Sequence, residues 1–171
     1  GIVALGYVTS RVLESAAIMV CIFSVLAVVT LRHDYAGAAG ADSASLVTAA
    51  RSFVALHDAA FLLGPTLLAG LGNGMLLGYL MYRSGLVPRG MAVLGLVGGP
   101  LVIAAAVAVL FGVFKAGSAA QAIATAPEFV YELSFGIYLT VKGFKPSPIT
   151  AGETRPFGAD TGSPAQMALA G

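Results

Sequence analysis

The feature that most constrains this 171-residue chain is a series of four long apolar segments with polar residues between them. Each has about 20 mostly apolar residues, the length that a helix needs to cross roughly 30 Å of hydrocarbon. Helices satisfy their own backbone hydrogen bonds in lipid, and these segments lack the alternation typical of barrel strands. The sequence therefore predicts an all-α, polytopic transmembrane bundle whose four spanning helices are about 12–31, 59–82, 91–114 and 122–141.

The composition excludes several classes of protein. Hydrophobic residues make up 58% of the chain and charged residues 10%, whereas soluble domains have roughly 45–50% and 25%. The net charge of +1 gives no basic surface for nucleic acid. Cys21 is the single cysteine, so the chain forms no internal disulfide and no cysteine-based metal site. We expect the lipid bilayer as the main partner, with no metal, no other cofactor and no nucleic acid.

The pattern of charges and turn residues divides the chain and predicts its orientation. Residues 1–145 form the predicted helical domain, with loops at 32–50, 83–89 and 115–125, and the Pro- and Gly-rich residues 146–171 form a tail. Arg83 and Arg89 lie in a short loop without acidic residues. The positive-inside rule places this loop, and with it both termini, in the cytoplasm.

Two polar residues are expected near the middle of the membrane. Counting ten residues back from a basic residue at a span end reaches the midplane at about 1.5 Å per residue. The count reaches Asn73 from Arg83 and Glu132 from Lys142. Because a carboxylate there costs a few kcal/mol, Glu132 should face the protein and bond Asn73 or a carbonyl near Pro100. Two interpretations stay open, a proton or cation site and a structural hydrogen-bonded lock.

Three further charged residues allow two interpretations each. Glu128 either lines the same cavity as Glu132 or occupies the first turn of a helix after Pro127, and we expect the second. Arg11 and Glu14 are three residues apart, so they can pair on one helix face. We expect an interfacial ion pair rather than a functional site there.

Candidate metal and catalytic motifs are weak. His57 and Asp58 suggest a metal site or a proton relay. Adjacent helical residues do not face each other, so we expect these two to cap the outer end of a span instead. No Ser/His, Cys/His or His-Glu-x-x-His arrangement indicates an active site.

Glycines recur at helical spacing in the second and third spans. Gly70, Gly74 and Gly78 align on one face, and Gly95 and Gly99 form a similar strip. Small residues at this spacing let two backbones approach closely. The short connection between the two spans predicts that they pack antiparallel through these strips. A dimer interface is the alternative.

Several strings resemble a bacterial family, the domain of unknown function numbered 4386. They are Gly6-Tyr7 with residues 11–14, His57-Asp58 with residues 61–65, residues 78–89, and residues 132–144. The resemblance covers roughly residues 5–145 and implies a protein of the bacterial cytoplasmic membrane. Members resemble six-helix proteins, so these four spans would be the last four and an N-terminal pair would be missing. The resemblance implies no activity.

The sequence favours a membrane protein that is not an enzyme. The predicted role is an accessory or regulatory subunit that docks with other membrane components, either partner subunits or the missing helices, because the short loops leave no room for a soluble active site. The alternative is a small proton- or cation-coupled transporter that uses Glu132, because transporters bind ions near the midplane. An intramembrane enzyme is the least supported hypothesis.

Overall fold

The protein folds into packed helices, as its apolar segments predict. The computed structural model describes residues 1–37 and 41–146, except for the side chain of Ala41. This part of the chain contains no strand, and the predicted tail after Pro146 lies outside it. The elements are α1 (Ile2–Asp34), α2 (Ala41–Phe61), the π-helical segments π1 (Leu62–Leu68) and π2 (Gly70–Leu77), α3 (Gly78–Ser84), α4 (Arg89–Leu110) and α5 (Ala119–Lys142).

Three helices in the described residues are long and apolar enough to cross a membrane. They are Ile2–Asp34, Asp42–Ser84 and Arg89–Leu110. The second, which we call the long helix, joins α2, π1, π2 and α3 without a break. The prediction of four such spans is therefore too high by this measure. The segment 122–141 is helical within α5, but Glu128 and Glu132 make it less apolar than the other three.

The helix ends differ from the predicted loops. Most of the predicted loop 32–50 is helical, because α1 continues to Asp34 and α2 begins at Ala41. The third span ends at Leu110 rather than at residue 114, and α5 begins at Ala119 inside the predicted loop 115–125. A run of apolar residues identifies only the part of a helix that lies in the hydrocarbon, and the helix itself can continue further. The long helix has 43 residues and measures roughly 65 Å, about twice the hydrocarbon thickness.

The first helix packs antiparallel to the long helix through small residues. A Cβ atom added at Gly72 would lie 2.5 Å from the Ser10 hydroxyl, and one at Gly64 would lie 2.3 Å from the Ala17 Cβ. The later residue of α1, Ala17, therefore faces the earlier residue of the long helix, Gly64, as expected for antiparallel helices. Neither glycine leaves space for a side chain, because small side chains of α1 lie directly against the main chain of the long helix.

The connection between α3 and α4 is a tight turn that also holds the end of α5. Gly85 ends α3 in the left-handed conformation at φ 67°, where glycine has no steric penalty. Its amide donates to the Met81 carbonyl over 3.1 Å. The Lys145 amide donates to the Leu86 carbonyl over 2.8 Å. The C-terminal end of α5 is therefore fixed beside the start of α4.

Candidate functional site

The π-helical part of the long helix begins around an internal proline. Pro65 has no amide hydrogen, so it cannot make the normal helical bond to the Phe61 carbonyl. The hydroxyl of the buried residue Thr66 donates to this carbonyl over 3.2 Å. π-Helical turns are rare and often occur at functional sites. Here they carry the glycines that contact α4.

The long helix and α4 meet through the predicted glycines. A Cβ at Gly70 would lie 2.9 Å from the Gly99 carbonyl oxygen, and one at Gly74 would lie 2.4 Å from the Gly99 Cα. A Cβ at Gly78 would lie 3.2 Å from the Leu96 nitrogen. The main chains touch along this face, and the first two positions have no room for even a methyl group.

Other glycines of α4 face α5. A Cβ at Gly95 would lie 2.7 Å from the Tyr131 ring, and one at Gly98 would lie 2.7 Å from the Glu128 nitrogen and from its Oε2 atom. The prediction assigned Gly95 to the contact with the second span, and a Cβ at Gly78 would indeed lie 3.5 Å from the Gly95 carbonyl carbon, but the Cβ position of Gly95 itself faces α5. The reason is that α4 lies between two helices and presents glycine to both. Gly98 was not in the predicted packing set.

Glu128 occupies a space bounded by glycine main chain. It is 4% exposed, and neither carboxyl oxygen has a hydrogen-bond partner in the described residues. Its Oε2 atom lies 2.7 Å from the positions that a Cβ atom would occupy at Gly74 and at Gly98. We call these two glycines the glycine cradle. The expectation that Glu128 lies in a first helical turn is wrong. The helix begins at Ala119, so Glu128 lies in its interior despite the preceding proline.

Tyr131 is a second buried polar residue without a partner, and the sequence analysis did not single it out. It is fully buried, and its hydroxyl has no hydrogen-bond partner among the described residues. This hydroxyl is close enough to Tyr7 of α1 and to Glu128 for electrostatic interaction. A buried polar group left unpaired costs about 1–3 kcal/mol. Two such groups within one turn of α5 therefore mark this place as a candidate site.

Glu132 lies one turn further along α5 and has the partner that the sequence predicted. The Asn73 side-chain amide donates a hydrogen bond to Glu132 Oε1. Glu132 is nevertheless exposed on the surface of the described chain, whereas Glu128 is buried. The sequence predicted that Glu132 faces the interior, but the acid that the structure buries is Glu128.

A groove connects these two acids with the surface. It has a volume of about 460 Å³ and runs between the middle of the long helix and the N-terminal half of α5. We call it the polar groove. Its polar lining residues are Thr66, Ser118, Gln121, Thr125, Glu128 and Glu132.

The predicted ion pair on α1 lies close to the same region. An Arg11 Nη1 donor bonds Glu14 Oε2, and Glu14 is 6% exposed although the Arg11 side chain is 38% exposed. The Glu14 and Glu132 carboxylates are close enough for electrostatic interaction. We call the set contributed by three helices the polar cluster. It comprises Arg11, Glu14, Asn73, Glu128, Tyr131 and Glu132.

The His57-Asp58 pair lies outside the polar groove. The His57 Nδ1 and Asp58 Oδ1 atoms are 3.1 Å apart, so these adjacent side chains do contact each other. The imidazole also stacks on the Phe61 ring, with 6.1 Å between centroids. Within the described residues, no group of three or more His, Cys, Asp or Glu could hold a metal ion.

The helices and the polar cluster define a class, that of helical membrane proteins with ionisable residues inside the bundle. The chain belongs to the family described as a domain of unknown function, DUF4386, whose model matches residues 2–143. This match confirms the resemblance seen in the sequence. Comparisons with curated proteins and with solved structures find no match.

Proposed function

We propose that α5 crosses the membrane beside α4 as a fourth span. Gly98 contacts Glu128, Gly95 contacts Tyr131, and the end of α5 returns to Leu86 before α4 begins. The two helices are thus antiparallel along most of their length. Because α4 is long and apolar enough to span a membrane, a helix packed along it lies at the same depth.

We further propose that the protein is a non-enzymatic accessory or regulatory subunit in which a further transmembrane helix covers the polar groove. The exposure of Glu132 in this groove is the observation that carries the proposal. A charged side chain facing lipid at bilayer depth costs about 3 kcal/mol or more. A covering helix that donates hydrogen bonds to the groove removes this cost, since hydrogen bonds between helices hold membrane bundles together.

The membrane and the orientation are part of the same proposal. We propose the cytoplasmic membrane of a bacterium, with both termini in the cytoplasm. The basic residues Arg83 and Arg89 at the turn between α3 and α4 support this orientation, because cytoplasmic loops are enriched in Lys and Arg.

Site-specific photocrosslinking in native membranes tests the docking proposal. A photoreactive residue at Thr125 lies in the groove, and one at Ile123 lies on the opposite face of α5 and is 74% exposed. We expect a protein adduct from Thr125 and lipid adducts from Ile123. Lipid adducts alone from both positions would contradict docking, because the groove would then face the bilayer.

A small proton- or cation-coupled transporter is the second candidate function. It is favoured by the Asn73–Glu132 pair, which places a carboxylate at the mouth of the groove. Reconstituted liposomes carrying a pH-sensitive or cation-sensitive dye test it. Transport that is present in the wild type and lost in Glu132→Gln supports this candidate, whereas equal flux in liposomes with and without the protein excludes it.

A further inference from the structure

We propose that Glu128 is a reversible proton-binding residue, held in the glycine cradle and connected to the surface through the polar groove. The inference goes beyond the docking function and does not depend on it. Its basis is the geometry of one side chain that is 4% exposed, lacks any hydrogen-bond partner in the described residues and contacts two glycine backbones.

The chemistry of the cradle selects a proton over a metal cation. Hard cations take about six or more oxygen ligands. The Glu128 Oε2 atom lies beside the main chains of Gly74 and Gly98, and the described part of the chain contains no group of three metal-binding side chains. An ionised carboxylate without donors pays a large desolvation cost. One proton neutralises the carboxyl without requiring any further ligand.

The groove supplies the route by which the proton enters and leaves. Glu128 lines the groove, and Glu132 lies four residues along the same helix face at its surface. The charge of Glu132 also acts on Glu128. The groove also extends from Glu128 to Gly117 and Ser118 beside the N-terminal end of α5, so the proton follows the groove to this end of the helix.

The charged and titratable groups that interact with Glu128 are Tyr131 and Glu132, both on α5. The α1 groups act on these neighbours, because Tyr7 interacts with Tyr131, and Glu14, which is paired with Arg11, interacts with Glu132. The long helix contributes the neutral side chain of Asn73, and the α4 surface here is glycine main chain. Among the residues that the structure describes, no basic side chain pairs with Glu128, so protonation is the way for this carboxyl to lose its charge.

Infrared difference spectroscopy on the folded protein in lipid tests the proposal. A carbonyl band of a protonated carboxyl should be present at low pH and disappear as the pH rises. The band should be absent from Glu128→Gln and retained in Asp58→Asn, which serves as the matched control because the exposed Asp58 lies outside the polar groove. A band that does not change with pH, or that survives in Glu128→Gln, would overturn the proposal.

A second measurement uses only the wild-type protein, in case Glu128→Gln does not fold. Dicyclohexylcarbodiimide adds across a protonated carboxyl and leaves an acylurea that retains all atoms of both reactants. We expect the adduct on Glu128 after labelling in membranes at low pH, with at least a tenfold loss of labelling at high pH. Labelling confined to other acids, or independent of pH, counts against the proposal.

Discussion

At the scale of single residues, the packing around the Glu128 carboxyl depends on the two glycines of the glycine cradle, Gly74 and Gly98. A methyl group at Gly74 would lie 2.4 Å from the Gly99 Cα and 2.7 Å from Glu128 Oε2. Gly74→Ala should therefore lower the free energy of unfolding by about 1–3 kcal/mol through overpacking. Thermal unfolding in detergent can be followed with a thiol-reactive dye, because Cys21 is the single cysteine and is buried.

The matched control for this substitution is Gly136→Ala in α5. No atom lies within 4 Å of a Cβ at Gly136, and the residue is helical. Alanine there should be neutral or stabilise the helix by about 0.5–1 kcal/mol. If both variants unfold at the wild-type temperature, the close contact at Gly74 is wrong.

The hydrogen bond between Asn73 and Glu132 should couple two helices energetically. Hydrogen bonds between membrane helices contribute about 0.6–1.7 kcal/mol. A double-mutant cycle with Asn73→Ala and Glu132→Ala should give a coupling energy of about 1 kcal/mol in unfolding measurements. The two substitutions would instead be additive if the side chains did not interact.

The sequence predicted one pair of site residues and misjudged another. Depth counting placed Asn73 and Glu132 at one level, and the structure joins them by a hydrogen bond. Glu128 was misplaced because Pro127 is a typical helix-start residue, whereas here it lies inside α5. The sequence did contain a signal for this contact. Glu128 and Tyr131 are three residues apart, and so are Gly95 and Gly98, the glycines of α4 that face them.

At the scale of whole elements, Thr66 should stabilise the start of the π-helical part. Thr66→Val removes the hydroxyl bond to the Phe61 carbonyl and should cost about 1 kcal/mol of unfolding free energy. Thr48→Val is the control, because the exposed Thr48 makes a comparable bond of 3.0 Å to Ala44. It should change stability by less than about 0.5 kcal/mol. Equal effects of the two substitutions would show that the Thr66 bond has no special role.

Hydropathy located the helices but not their ends or their hydrogen-bond pattern. Residues 41–58, which include the charged residues Asp42, Arg51 and Asp58, continue a helix beyond the length that lipid requires, so an apolar run underestimates the helix. The π-helical segments are invisible to a hydropathy pattern, because that pattern does not record which carbonyl each amide bonds. The α5 helix was predicted as a span, yet its polar residues line the groove and make it less apolar than the other three helices.

At the scale of the whole molecule, the orientation and the fourth crossing can be tested together. In a Cys21→Ala background, single cysteines at Ser45 and Ala116 should react with an impermeant thiol reagent added to intact cells. A cysteine at Ser84 should react only after the membrane is opened, because the proposed orientation places the loop with Arg83 and Arg89 in the cytoplasm. The reverse pattern would show that the orientation is opposite to the proposed one. Protection of the cysteine at position 116 alone would show that the start of α5 does not lie outside the cell.

The glycine cradle links the state of one carboxyl to the arrangement of the whole bundle. A pocket lined by side chains adapts to a new occupant when those side chains change rotamer. The wall beside Glu128 Oε2 includes main chain from the long helix and from α4, so the spacing of these two helices sets the width of the space. On this side of the carboxyl, more volume becomes available only if the long helix and α4 separate. A change of charge at Glu128 would therefore act on the spacing of entire helices rather than on side-chain rotamers.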